Sequence, residues 1–354
     1  MKARLLIALI LVTVRVFAQS PCGTFREPIP FKENGKWGYV SDKGVVISPR
    51  FDTAGMFNSE GAIACVGTQC GAIDKSGTFI APMWARDSHP FPWSNYSDGL
   101  APAEENGKWG YIDRTRNVVI PFQFRYAGYF ENGMARVALA DKFFFIDKRG
   151  TRVTQEFDGA FDFHEGLAAV IADKNVGYIR PDGSFALPAQ YHSASGIDFS
   201  EGVAAVRVNG KVGFMDKYGN VVIEPKYDDV YPFSDGFAPV EMGDKWGYVD
   251  HLGNVAIPIK YDIGHMFSEG LASVSLNGKW GYIDTKGQFA IPATFDSAMP
   301  FCGGVAKVET FQKVGESRGL RGGDLKGKHG VIDHSGNYVW RDAVEQTWPS
   351  PFRF

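Results

Sequence analysis

The residues best spaced for chemistry lie near the C-terminal end. Gly315-Glu316-Ser317-Arg318-Gly319 has the spacing of a nucleophile elbow, which holds a serine hydroxyl at a sharp strand-to-helix turn. The stretch after it is rich in glycine and charge and has no helical period, so that turn lacks its helix. Gly322 to His329 approaches a phosphate-binding loop, but His329 stands where the loop needs a hydroxyl for Mg²⁺. Lys313, Arg318, Arg321, Lys326 and Lys328 make this segment a basic loop that could meet an anionic polymer or simply be solvated. The seven histidines are scattered, and none has metal-ligand spacing. Seven aspartates, at 74, 113, 147, 216, 250, 284 and 333, recur at one register position. Each opens an Asp-x-x-Gly turn, and solitary carboxylates one repeat apart rarely converge on an ion. No catalytic residue, cofactor or metal follows from these patterns.

The elements that carry these residues are repeats. Phe199 to Pro232, Phe233 to Met266 and Phe267 to Pro300 are three consecutive 34-residue copies of one unit. Tyr96 to Tyr129 is a fourth, and diverged copies bring the total to about nine. The approximate units are 29–56, 57–95, 96–129, 130–162, 163–198, 199–232, 233–266, 267–300 and 301–340, with an N-terminal segment at 19–28 and a tail at 341–354. Each unit predicts three strands, as in Leu271 to Leu276, Lys279 to Asp284 and Gln288 to Ile291. Asn277-Gly278 is a strong type I′ hairpin signal, because both central residues need positive φ. That turn sets Ser275 opposite Trp280, Val274 opposite Gly281 and Ser273 opposite Tyr282. One face then collects Ala272, Val274, Leu276 and Ile283 as a core surface. The other collects Trp280 and Tyr282 beside serines, a half-buried surface wet along one side. The same pairing puts Glu104 opposite Trp109 and Glu241 opposite Trp246. The glycine after each tryptophan lets a neighbouring backbone or ring approach closely. Two readings of the aromatic stripe stay open: a plug in the seam between units, or a ligand-stacking surface formed by Trp37, Tyr39, Trp109, Tyr111, Trp246, Tyr248, Trp280 and Tyr282.

Gly-Lys-Trp-Gly-Tyr at 35–39, 107–111 and 278–282, with Lys245-Trp246-Gly247-Tyr248, resembles the WG (KWG) repeat proteins. The resemblance covers nearly the whole chain after its first residues. It implies a mostly bacterial, commonly exported protein, similar to the aromatic β-hairpin repeats of cell-wall-binding modules, and it brings no catalytic residue with it. Cys70, Phe143, Val176, Val212 and His329 replace the tryptophan in five units. A lone unit cannot bury both sides of a small sheet, so neighbours must stack. The expected fold is all-β, with tandem three-stranded repeats stacked as a β-solenoid or superhelix. A closed β-propeller-like ring is the alternative, with an inter-unit strand supplying a fourth strand.

Lys2 and Arg4 followed by the apolar run Leu5 to Val14, with Val16 and Ala18 before the expected cut, predict a signal peptide over 1–18. The protein is then secreted or periplasmic, and its mature part has no apolar segment long enough to span a bilayer. Loss of Lys2, Arg4 and Arg15 takes the formal charge from −3 to −6, which gives no reason to expect nucleic acid as a partner. Export also suits disulfides. Cys65 and Cys70 flank a two-residue turn at Gly67-Thr68 and face each other across a hairpin. Cys22 and Cys302 are left to pair, which requires the first and last units to be adjacent; an open solenoid forbids that. The function expected is a non-catalytic module that binds protein or cell-wall glycan at the bacterial envelope. The alternatives are a purely structural spacer, or an enzyme with its site in the 309–330 insertion.

Overall fold

Asn277 and Gly278 take φ of 54° and 73°, as a type I′ turn requires, and the turn fixes the register of the sheet around it. Ser275 pairs with Trp280, Val274 with Gly281 and Ser273 with Tyr282, as the hairpin spacing predicts. The computed structural model describes residues 27–57, 61–80, 84–85, 91–92, 96–192, 198–313, 325–342 and 346–348. Among them the pattern repeats as nine small antiparallel sheets, called here sheets 1 to 9 in chain order, and no helix occurs. The signal-peptide segment 1–18, Cys22 and Ser317 lie outside the described residues.

Five of the nine sheets hold one strand more than the three read from each unit. In sheet 8 the strands are Ile263–Ser268, Leu271–Leu276, Lys279–Asp284 and Phe289–Phe295. The first of these follows directly on the last strand of sheet 7, Val255–Tyr261, with only Asp262 between them. Sequence pattern hid it because its residues do not repeat from unit to unit. Sheets 2, 3, 5, 7 and 8 have four strands in simple order, while sheets 1, 4 and 6 have three. Sheet 9 takes up part of the predicted tail: Gln346–Trp348 pairs with Leu325–Gly327. Its insertion is a long hairpin of Val305–Lys313 against Leu325–Asp333.

Both faces of a sheet are buried. Trp246, Tyr248, Ile257 and Tyr261 of sheet 7 pack on Ala272, Val274 and Ile283 of sheet 8. Tyr282, Ile291 and Phe295 of sheet 8 pack in the same way on Ala306, Val308 and Ile332 of sheet 9. The expected wet side is therefore dry: Ser273 and Ser275 are 0% and 3% exposed. The neighbouring sheet covers what one unit alone would leave open. The two ends of the array also touch. Ile29, Phe31 and Val40 of sheet 1 share a core with Cys302, Val305 and Val331 of sheet 9. The Phe31 and Trp340 rings lie 5.0 Å apart, and the Trp340 indole N–H donates to Glu33 at 3.4 Å.

The glycine after each tryptophan has a specific cause. Trp280 pairs with Phe295 and Tyr282 with Ile291, so Pro292, Ala293 and Thr294 all bulge over the single residue Gly281. Equivalent bulges lie over Gly38, Gly110, Gly177, Gly213 and Gly247. A Cβ on Gly213 would sit 2.2 Å from the Ile223 carbonyl oxygen, and one on Gly281 would sit 2.6 Å from the Ala293 nitrogen. These contacts are with backbone and cannot be relieved by turning a side chain. Gly213→Ala is expected to cost about 2 kcal/mol in urea unfolding, the usual scale for overpacking. A loss below roughly 0.5 kcal/mol, the scale of an unremarked surface change, would mean that close approach does not fix glycine here.

Candidate functional site

Each predicted aromatic residue has a definite place in a seam. Tyr39, Tyr111, Tyr248 and Tyr282 are 0% exposed. Their hydroxyls donate to the backbone carbonyls of Gly55, Gly128, His265 and Met299 at 2.8–2.9 Å, each on or next to the first strand of the following sheet. Burial raises all four phenol pKa values, so the groups stay neutral donors. Such residues are not accessible for stacking a ligand. The tryptophans lie at the edges of the same seams. Trp246 is 8% exposed and stacks on Tyr231 at 5.0 Å, and half-buried Trp280 stacks on His265 at 4.8 Å. Burial pushes the His265 imidazole down to about 4, so it is neutral beside the indole. Trp37 and Trp109 are half-buried against their own seam cores, and the Lys32 ammonium lies 5.6 Å from the Trp37 ring.

The lysine of the motif has a partner that its spacing did not reveal. Lys36, Lys211, Lys245 and Lys279 donate to Asp52, Asp228, Asp262 and Asp296 at 2.5–2.6 Å, and Lys142 pairs with Asp158. Each aspartate except Asp158 directly follows the last strand of its sheet, and each reaches forward as well. Its second oxygen accepts an N–H from the next sheet's hairpin: Gly67, Asp173, Gly243, Gly278 or Phe311. Between sheets 3 and 4 the charges are exchanged, with Arg125 on Asp141 at 2.5 Å. A second latch uses the residues before each Gly. Ser97, Ser200 and Ser268 donate to Phe130, Phe233 and Phe301 carbonyls one unit on. Asp98, Glu165, Glu201, Asp235 and Glu269 accept the N–H of Gly133, Gly202, Gly236, Gly270 and Gly304. The signal for these latches was present as recurring Asp, Ser and Glu, but each partner lies in another unit.

The row of seven turn aspartates is accounted for by the backbone. In each, one carboxylate oxygen accepts the N–H groups two and four residues on, as Asp284 does from Lys286 and Gln288. Asp74, Asp113, Asp147, Asp216, Asp250 and Asp333 repeat the arrangement. Among the described residues no cluster of three or more His, Cys, Asp or Glu could hold a metal. Cys65 faces Cys70 and is bonded to it, with Cα atoms 3.9 Å apart, at the position where other units carry tryptophan. Cys302 is also disulfide-bonded, and its expected partner Cys22 lies outside the described residues.

Some of what the seams leave exposed lies on the first strands, which sequence reasoning did not single out, and some on the last strands, such as Val45, Val46, Val118, Val119, Val221 and Val222. Tyr126 (38%), Tyr129 (50%) and Ile263 (41%) are exposed on first strands, Met299 (42%) follows directly after a first strand, and Met56 (43%) lies two residues beyond one. Asp162, Asp229 and Glu131 stand on the same strands of sheets 4, 5 and 7. Glu131 keeps solvent access, yet partial burial and then the charges of Asp162, Asp98 and Asp198 raise its pKa despite nearby His164.

The model of the WG containing repeat matches residues 37–67, 109–143, 143–174, 177–211, 213–246, 246–280 and 280–310. The chain belongs to the WG containing repeat family. No curated protein sequence matches this WG-repeat chain. Among solved structures, one described as the eukaryotic initiation factor is 13% identical, covers 91% of this chain and 96% of its own, with a TM-score of 0.57. The dihydro-heme d1 dehydrogenase NirN covers 80% of this chain and 72% of its own at 13% identity and a TM-score of 0.43. The structural neighbours are β-propeller-like proteins. At these identities the likeness concerns the fold alone.

For this WG-repeat protein the seam latches give a pH dependence. Asp228 and Asp262 have lowered pKa values, first through Lys211 and Lys245 and then through hairpin N–H groups. A depressed folded-state pKa stabilises above the unfolded value of about 3.9, and the contribution vanishes as pH falls through the folded one. The latches' share of the stability measured by urea unfolding should therefore be level above about pH 5 and fall in more acid solution, on top of the loss that buried neutral His265 brings once pH falls below about 6.5. Asp228→Asn/Asp262→Asn should flatten that fall, and an unchanged acid limb would show that these latches do not couple to folding. Removal of one buried phenol hydroxyl, Tyr282→Phe, should cost about 1 kcal/mol with no change of fold by circular dichroism. No measurable loss would show that the hydrogen bond to Met299 does not strengthen the seam.

Proposed function

We propose that this chain is an exported, non-catalytic binding module whose nine sheets close into a ring and offer their first strands to a protein or glycan partner. The shared core of sheets 1 and 9 supports closure, and so does a taper across the seams. Where first strands approach the preceding sheet the buried residues are small in sheets 4, 5, 8 and 9, at Ala127, Ala160, Gly264 and Ala298, with the larger Val230 in sheet 7. At the last strands they are large: Phe51, Phe124, Tyr227, Tyr261 and Phe295. Sheets that sit closer at one edge than the other radiate from an axis, with the small-residue edge innermost. The Cys65–Cys70 bond suits an oxidising compartment outside the cytoplasm.

The observation that carries the binding reading is the division of labour among positions. Recurring polar residues are taken up by turns and latches, whereas the side chains of Tyr129, Ile263 and Met299 stay exposed on or beside first strands. Large apolar side chains grouped on one class of strand mark interaction surfaces. Tyrosine and methionine suit that role, since one is rigid and amphipathic and the other adapts its shape. A spacer with no partner has no use for them.

A photo-crosslinking amino acid placed at Tyr129 or Met299 in the producing cell tests this, with Val119 on an outer strand as the comparison. Discrete adducts to protein or glycan are expected from the first two positions and not from Val119. No adducts, or the same adducts from all three, would overturn the reading.

A further inference from the structure

The contact between sheets 9 and 1 departs from the other seams at several positions at once. In the seams after sheets 3, 5, 6, 7 and 8, a carboxylate of one sheet accepts a glycine N–H of the next, and Glu269 with Gly304 is the last such pair. A basic side chain of the next sheet joins three of these pairs: Lys148 at Asp98, His251 at Glu201 and His334 at Glu269. One unit further on, the repeat register gives Gly303, Pro28 and Asp42 for these three places. Ser41 accepts the Lys43 N–H at 3.1 Å as a turn aspartate does, which sets Asp42 in the third place. Gly303 has no carboxylate, Pro28 has no N–H, and Asp42 is acidic where a basic group stands elsewhere. No side chain fits at the first place, since a Cβ on Gly303 would sit 2.2 Å from the Glu27 carbonyl oxygen. All three members of this latch are absent together, although the two sheets lie in close contact.

An apolar core, the Trp340–Glu33 hydrogen bond and a covalent bond stand at this contact instead. Ile29, Phe31 and Val40 pack on Val305 and Val331, and Cys302 belongs to the same core. Cys302 stands where sheets 3, 6 and 8 carry Ser97, Ser200 and Ser268. Each of those hydroxyls donates to a phenylalanine carbonyl 33 residues ahead, across the seam. A side chain at this place therefore reaches into the following unit. For Cys302 the following unit is the first, where Phe25-Arg26-Glu27-Pro28 answers to Phe267-Ser268-Glu269-Gly270 and Cys22 comes shortly before Phe25 in the chain. Cys302 is disulfide-bonded. The sequence has four cysteines, and Cys65 and Cys70 are bonded to each other, which leaves Cys22 as the partner within the chain.

We propose that the disulfide at Cys302, made with Cys22, is a redox-controlled clasp. It holds the contact of sheets 9 and 1 shut, and its reduction opens the ring there while the other seams stay closed. This rests on the closed ring proposed above and names the seam that regulates it. A bond between residues near the two ends restricts almost the whole unfolded chain, whereas Cys65–Cys70 closes a short loop. The seams after sheets 6, 7 and 8 keep their carboxylate–glycine and Lys–Asp latches when thiols are reduced, so they do not depend on the clasp. Reduction by a dithiol breaks the S–S bond, delivers two electrons and two protons to give two thiols, and leaves the dithiol as its own disulfide. In an oxidising compartment the reverse exchange with a disulfide oxidant remakes the bond, so closure follows arrival outside the cytoplasm.

The test is hydrogen exchange of the full mature chain, read by mass spectrometry with and without dithiothreitol. A non-reducing peptide map is expected to contain a peptide pair joined through Cys22 and Cys302. On reduction, the amides of Lys36–Ser41 and Val305–Lys313 should exchange at least about tenfold faster, while those of sheets 6 to 8 keep their rates. Cys302→Ser, which restores the serine of sheets 3, 6 and 8, should show the fast exchange without reductant and no further response to it. Cys65→Ala/Cys70→Ala should exchange slowly in both strands until reductant is added. Absence of the joined pair, unchanged exchange on reduction, or equal acceleration in sheets 6 to 8 would overturn the proposal. X-ray scattering of the oxidised chain separates this from the ring itself. If that chain scatters as a compact ring while reduction leaves sheets 1 and 9 protected, the clasp fails and the ring stands. If it scatters as an open array, both fail.

Discussion

The seam between two neighbouring sheets is the unit on which everything else rests. Each sheet is apolar on both faces, and about 25 cal/mol per Å² of apolar surface is at stake on each. A small sheet alone in water would leave one of those faces wet and its buried hydroxyls unmatched. Tyr39, Tyr111, Tyr248 and Tyr282 show how the seam meets both demands together. The ring fills the space between sheets, and the hydroxyl donates to a backbone carbonyl of the following unit. The Lys–Asp–hairpin latch and the carboxylate–glycine latch then fix how far one sheet slides on the next. Because the contacts are between neighbours, the array is stabilised seam by seam, and the proposed ring removes the two exposed faces that an open array would leave at its ends.

Stacking faces does not protect the outer edges of the sheets, which carry unpaired backbone groups and exposed valines such as Val45, Val46, Val221 and Val222. The last strands blunt this hazard from within. Pro49, Pro121, Pro188, Pro225, Pro258 and Pro292 interrupt them, and the bulge over the motif glycine bends each one away from a straight edge. The glycine and the proline thus serve one device. The absent Cβ admits the bulge, and the bulge with its proline denies another chain a template for pairing.

Constancy and variation between the chain's own units separate structure from function. Lysine, glycine, tyrosine and the turn aspartate recur because each has a partner that every unit must supply. The first strands read differently in every unit, from Tyr126-Ala-Gly-Tyr129 to Ile263-Gly-His-Met266, and share only a buried residue that is small in sheets 4, 5, 8 and 9. A wall that differs from sheet to sheet can distinguish one end of a ligand from the other, which an array of identical units cannot. The tryptophans, which drew attention as the motif's most visible residues, stand in only four of the nine units and are largely spent in the seams.

Local chemistry was legible from the sequence because it depends on residues close in the chain. Asn277-Gly278 and its repeats dictated the hairpins and their register, Asp-x-x-Gly dictated the second turn, and Cys65 opposite Cys70 followed from a two-residue turn. The 34-residue period likewise announced a stacked array, since one unit is too small to hide its own apolar faces. Tertiary structure decided whatever depends on a neighbour. It made the supposed wet face dry, drew a fourth strand from the non-repeating segment of five sheets, and paired Lys36, Lys211, Lys245 and Lys279 with an aspartate beyond the last strand. It also brought Phe31 against Trp340, some three hundred residues apart in sequence. Such contacts leave no local pattern, because what selects them is the shape of a surface that exists only after the units have stacked.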